Sequence, residues 1–196
     1  MKTTRNKSFL LVGILAMSTW VSAQVLTFSP QNSSIVINGT SNVHDWKSKT
    51  SQIKGQMVFA DNNQLKSLSV DIPVKSIKSG EKLMDSKTYD TLGAEKNPTI
   101  SFRMTDVAGF QRNGNDISVA VNGNLTIAGT TKKVVLKAKG KSNQNGVYTF
   151  NGETQIKMSD FGMKPPTVLM GTLKVGDLVK LSFDVSLTEN QKASVN

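Results

Sequence analysis

Strict alternation of apolar and polar residues recurs along most of this chain, and it limits the fold more than any other feature. In Val179-Lys-Leu181-Ser-Phe183-Asp-Val185-Ser-Leu187 the apolar side chains fall on every second position. Successive side chains of a strand point to opposite faces, so this pattern describes a strand with one buried and one wet face. Similar runs carry Val119, Val121, Leu125 and Ile127; Leu68, Val70, Ile72 and Val74; Ile53, Met57 and Phe59; and Ile100, Phe102 and Met104. The alternation predicts eight strands, at residues 33–43, 46–60, 64–75, 99–110, 116–127, 131–141, 147–157 and 178–188. Asp61-Asn62-Asn63, Asn113-Gly114-Asn115, Ala128-Gly129 and Asn143 to Gly146 supply turns between them.

Two intervals lack the alternation. In Gly80 to Asn97, the spacing of Leu83, Met84, Tyr89 and Leu92 suits one or two helical turns, and Pro98 then enforces extended backbone. Met158 to Val175, with Phe161-Gly162-Met163 and Pro165-Pro166, reads as a turn and a loop. The expected fold is all-β: an eight-stranded antiparallel barrel, with a short helix between strands 3 and 4.

Residues 1–23 read as a secretory signal peptide. Lys2, Arg5 and Lys7 form a basic start, Phe9 to Trp20 an apolar stretch too short to span a bilayer, and Val21-Ser22-Ala23 a small-residue cleavage site. Residues 24–196 then form one domain, exported to the periplasm of a cell with two membranes. The chain has no cysteine, which removes disulfides, thiolate metal sites and cysteine nucleophiles. Loss of the signal lowers the formal charge from +10 to +7. The densest basic cluster is Lys132, Lys133, Lys137, Lys139 and Lys141, and no aromatic residue occurs between Asn113 and Val147. Nucleic-acid binding wants bases stacked on aromatics, so these lysines read as a solvated, edge-protecting strand face and no nucleic-acid partner is expected. Contact with anionic lipid head groups at a membrane surface stays open as a second reading, as does homodimerisation.

Conventional catalytic patterns are missing. The single histidine, His44, stands in Gly39-Thr-Ser-Asn-Val-His-Asp-Trp-Lys-Ser-Lys49. On a strand it would share a face with Trp46 and not with Asp45, so a His-Asp couple fails on geometry. One histidine without cysteine makes a poor transition-metal site. The two S-x-x-K matches, Ser51 to Lys54 and Ser79 to Lys82, lack the partner motifs such enzymes need. His44 is assigned to polar contacts at a strand end, and no cofactor is expected. Methionines and phenylalanines remain near the presumed interior, among them Met57, Met104, Phe59 and Phe102. The residues alone leave two readings of these open: an ordinary packed core, or the adaptable lining of a lipid site.

Four segments resemble a known family. Gly123-Asn-Leu-Thr-Ile-Ala-Gly-Thr-Thr-Lys-Lys-Val134, Asn97-Pro-Thr-Ile-Ser-Phe102, Asp160-Phe-Gly-Met163 and Val175-Gly-Asp-Leu-Val179 are similar, in order and spacing, to motifs of the YceI-like proteins. The resemblance runs from about Ser33 to Leu187. It implies a lipocalin-like barrel whose apolar tunnel binds a polyisoprenoid or other long-chain lipid, with no catalytic residues. On that reading the lining is Phe59, Leu68, Val70, Ile72, Ile100, Phe102, Met104, Leu125, Ile127, Phe161, Met163, Leu181 and Phe183. Lys82, Tyr89 and Lys164 are the expected contacts to a polar head group. The alternative is a filled barrel without ligand, acting as an interaction or stress module.

Overall fold

The computed structural model describes residues 23–60, 64–168 and 171–189. The strands are β1 (Gln24–Phe28), β2 (Ser34–Ser41), β3 (Trp46–Thr50), β4 (Lys54–Phe59), β5 (Leu65–Pro73), β6 (Thr99–Asn113), β7 (Asp116–Ile127), β8 (Thr130–Ser142), β9 (Val147–Lys157), β10 (Thr167–Val168) and β11 (Leu173–Glu189), with one helix, α1 (Lys82–Leu92). Eight strands close a ring in the order β1-β4-β5-β6-β7-β8-β9-β11, sealed by pairing of β1 with β11. Every registered pairing in it is antiparallel. The expected closed barrel is therefore present. The helix is placed differently from the expectation: it follows β5, not the third strand.

The count differs for a local reason. Residues 46–60 form two strands because the chain turns at Ser51-Gln52-Ile53, where the Thr50 hydroxyl accepts the Gln52 N–H at 3.1 Å and Ile53 N–H donates to Ser51 O at 3.0 Å. Those donors leave the sheet ladder, so alternation persists across a break in pairing. β1 was not expected, and the strand placed at 178–188 begins earlier, at Leu173. The Ala128-Gly129 hairpin is as expected: φ is 49° and 78° at the two turn residues, the backbone of a tight two-residue connection. The Asp61-Asn62-Asn63 turn and the signal segment, up to Ser22, lie outside the described residues.

The barrel has two unlike ends. At one, Phe59 packs against Phe110 and Tyr148, with ring centroids 6.1 and 5.7 Å apart, while Leu26 and Leu187 are fully buried. These large side chains fill that end. At the other, β2 pairs along β11 and β3 pairs with β2, but the outer edge of β3 makes only an isolated bridge, Lys49 to Lys78. The chain from Val74 to Asn97, including α1, covers this interruption in the wall. Asp85 in the first turn of α1 accepts both the N–H and the hydroxyl of Ser79, each at 2.7 Å. Gly93, at φ 60°, ends the helix in the left-handed conformation.

Glycines on the inner wall make room for aromatics on the next strand. A β-carbon on Gly39, Gly123, Gly140 or Gly152 would collide with Trp46, Phe102, Phe150 or Phe183 respectively. Each ring thus lies flat over a neighbouring backbone instead of projecting across the barrel. Outside, Lys133, Lys137, Lys139 and Lys141 stand exposed in a row on β8, the solvated face expected of them.

Candidate functional site: an apolar cavity within the barrel

The unfilled part of the barrel is a cavity of about 450 Å³. Its wall is predominantly apolar and draws on nearly every strand of the ring, because inward positions recur at every second residue. Ten residues expected as lining do line it: Leu68, Val70, Ile72, Ile100, Phe102, Leu125, Ile127, Met163, Leu181 and Phe183.

Three do not. Phe59 is 1 % exposed within the aromatic cluster that closes the far end. Met104 precedes a register shift in β6, between Met104 and Asp106, which interrupts the inward alternation. Phe161 lies in a 3-10 turn after β9 and borders a separate shallow depression between the end of α1 and the β7–β8 turn.

None of the three expected head-group contacts lines the cavity. Lys82 is exposed on the first residue of α1. The Tyr89 hydroxyl accepts from Lys78 Nζ at 2.6 Å and donates to Ile77 O at 2.9 Å, so it pins the segment before the helix. Lys164 borders the outer depression with Phe161. The polar residues that do line the cavity include His44, Glu81 and Lys87, together with Ser48 and Thr50 of β3. Sequence reasoning missed them because they stand on a turn, a helix and a strand without apolar alternation. The one available signal was Trp46-Lys-Ser48-Lys-Thr50, where period 2 persists with small hydroxyls in the inward positions.

The cavity reaches the surface at His44, Glu81 and Leu83, lining residues that are all exposed. The Ser41 hydroxyl organises the turn that carries His44: it accepts from the N–H groups of Val43 and His44 and donates to His44 O at 2.7 Å. His44 Nδ1 lies 2.8 Å from Asp45 O. His44 stands in the turn between β2 and β3, not on a strand, and makes its polar contacts there while lining the cavity along with Trp46.

Electrostatics hold the covering segment in place. Hydrogen bonding to Tyr89 raises the Lys78 ammonium above its ordinary value; burial opposes this, and the nearby Asp85 charge adds to the rise. Burial opposes ionisation of Asp85, but the two hydrogen bonds from Ser79 and the nearby Lys78 outweigh it, so its carboxyl is held below the usual range. Among the described residues, no three histidine or acidic side chains cluster closely enough to hold a metal ion. No helix among them is long and apolar enough to cross a membrane.

Known proteins resemble this arrangement. The family model for the YceI-like domain matches residues 26–187. A UPF0312 protein of Pseudomonas paraeruginosa is 35% identical over 118 residues, which cover 56% of this chain and 59% of that protein. A second, from Azotobacter vinelandii, is 32% identical over 104 residues, 50% of this chain and 52% of its own. The chain thus spans less than two thirds of the length of these relatives. Among solved structures, Burkholderia cenocepacia BcnA superposes with a TM-score of 0.65 at 24% identity, over 81% of this chain and 98% of BcnA. A polyisoprenoid binding domain from Saccharophagus degradans, implicated in plant cell wall breakdown, superposes with a TM-score of 0.66 at 11% identity, over 87% of this chain and all of that domain. At these identities the superpositions establish a shared fold.

Proposed function

This chain belongs to the family of YceI-like domain proteins, and from that membership we propose that its barrel is a container for one long apolar lipid of the polyisoprenoid class. The observation that carries the reading is the cavity itself, about 450 Å³ walled by apolar side chains inside a closed sheet. A well-packed barrel of eight strands can be filled by its own side chains. This one is filled at the Phe59 end and left open at the α1 end. Its volume falls within the range of small-molecule sites. An isoprenoid chain offers no charge, so burial of its carbons supplies the affinity, about 0.8 kcal/mol for each methylene removed from water. The shared fold with a polyisoprenoid binding domain supports the same ligand class.

In this reading the protein is a non-catalytic carrier. It is exported through the N-terminal segment and works in the periplasm, holding or moving lipid that would otherwise be insoluble there. The exposed lysines offer contact with an anionic membrane surface during loading.

Native mass spectrometry of protein purified without detergent tests the container reading, followed by organic extraction of whatever dissociates. A stoichiometric hydrophobic adduct is expected. A clean protein mass that persists after incubation with prenyl lipids would overturn the reading in favour of a ligand-free interaction module.

A further inference from the structure

The cavity wall has one fully buried side-chain polar group with no hydrogen-bond partner among the described residues. β3 turns Trp46, Ser48 and Thr50 inward, while Lys47 and Lys49 face solvent. The two hydroxyl residues are almost completely buried, Ser48 at 2 % and Thr50 at 3 % exposed. Their hydroxyls are used differently. Thr50 Oγ1 accepts from Gln52 N–H and lies 2.8 Å from Ser76 Oγ. Ser76 in turn donates to Pro73 O at 2.6 Å, so the Thr50 proton is directed to Ser76. Thr50 thereby fixes the break between β3 and β4. Ser48 Oγ has no hydrogen-bond partner among the described residues.

Of the other hydroxyls on the cavity wall, those of Thr88 and Thr154 belong to half-buried residues, and two more are already engaged. Ser41 bonds the backbone of His44, and Thr91 donates to Lys87 O at 2.7 Å. Ser48 is therefore a lone buried donor in an apolar wall. A buried hydroxyl without a partner is costly to the folded chain, whereas alanine would fit the same space without that cost. Such a residue is understandable where a ligand supplies the missing acceptor.

Resting on the container reading above, we infer that the occupant is a neutral lipid bearing an oxygen acceptor, and that Ser48 Oγ donates a hydrogen bond to that oxygen inside the barrel. The oxygen is uncharged because the wall is predominantly apolar and its charged members, Glu81 and Lys87, are of opposite sign and offer no net countercharge. An anion seated on Ser48 would lose its hydration, while Lys47 and Lys49 on either side of it point out to solvent and do not line the cavity. The lipid's polar function thus enters the tunnel and does not stay at the mouth.

The test compares two probes of equal length: farnesylacetone, an isoprenoid ketone, and the hydrocarbon in which its carbonyl is replaced by a methylene. Binding is followed through the emission of Trp46, which lines the same cavity. Wild type should prefer the ketone by about five- to tenfold, the worth of one neutral hydrogen bond. Ser48→Ala should abolish that preference while leaving hydrocarbon binding intact, and Ser48→Thr should retain it. The infrared carbonyl stretch of isotopically labelled ketone should stand at lower frequency in wild type than in Ser48→Ala. A preference undiminished in Ser48→Ala, with an unchanged stretch, would overturn the assignment of Ser48. Equal binding of both probes to wild type would overturn the inference and leave the container reading standing. Failure of both probes to bind wild type would overturn the two together.

Discussion

The ring of Phe102 on β6 lies across Gly123 on β7, in space that any β-carbon at residue 123 would occupy. This contact joins two sequence motifs, since Phe102 ends Asn97-Pro-Thr-Ile-Ser-Phe102 and Gly123 opens Gly123-Asn-Leu-Thr-Ile. It also sets the depth of the cavity wall, because Phe102 lines the cavity from that position.

Gly123→Ala should destabilise the protein by about 1–3 kcal/mol, the usual penalty for overpacking. In an unconstrained strand the same change would gain about 0.5–1 kcal/mol, so the sign itself is diagnostic. Urea denaturation reads the difference. In a Phe102→Leu background the penalty should fall, and the double-mutant cycle should show coupling between the two sites.

Leu181→Trp places a larger side chain on the cavity wall at a half-buried position. The hydrophobic adduct expected in native mass spectrometry should be lost, with stability changed by no more than about 1–3 kcal/mol. Retention of a stoichiometric adduct would remove Leu181 from the lipid path.

Ser48→Ala should stabilise the lipid-free protein, because it removes a buried hydroxyl that has no partner among the described residues. A gain of about 1 kcal/mol corresponds to about 2–4 °C in Tm for a domain of this size. A lower Tm would mean that the hydroxyl is satisfied within the folded chain.

The Ser79–Asp85–Lys78 cluster should make the α1 segment sensitive to acid. The folded state holds the Asp85 carboxyl below its ordinary range, so its contribution is present above about pH 4 and is lost as pH falls further. Lys78 is raised, so its contribution holds through neutrality and is lost only in strong alkali. Thermal unfolding from pH 7 to 3 should show wild type losing more stability than Asp85→Asn, the two curves converging at the acid end. Parallel curves would exclude Asp85 as an anchor of the helix.

Alternation at period 2 by itself determined that this chain is a β protein with one apolar face, because strand geometry is local and each residue's side is set by its neighbours. The same locality made the Ala128-Gly129 hairpin and the helical interval after Gly80 legible, together with ten of the residues that surround the cavity. Tertiary structure alone decided which inward side chains meet each other and which meet empty space. Phe59 and Phe102 have equivalent patterns, yet Phe59 stacks on Tyr148 in a filled end while Phe102 lies over Gly123 and borders a cavity. That difference depends on partners far along the chain and on how the ring of strands closes. Ser48 and the three expected head-group residues follow the same logic. Alternation could turn a hydroxyl inward, but only the surrounding packing could leave it without a partner, and only the fold could draw Tyr89 into holding the chain before α1 instead of facing the cavity.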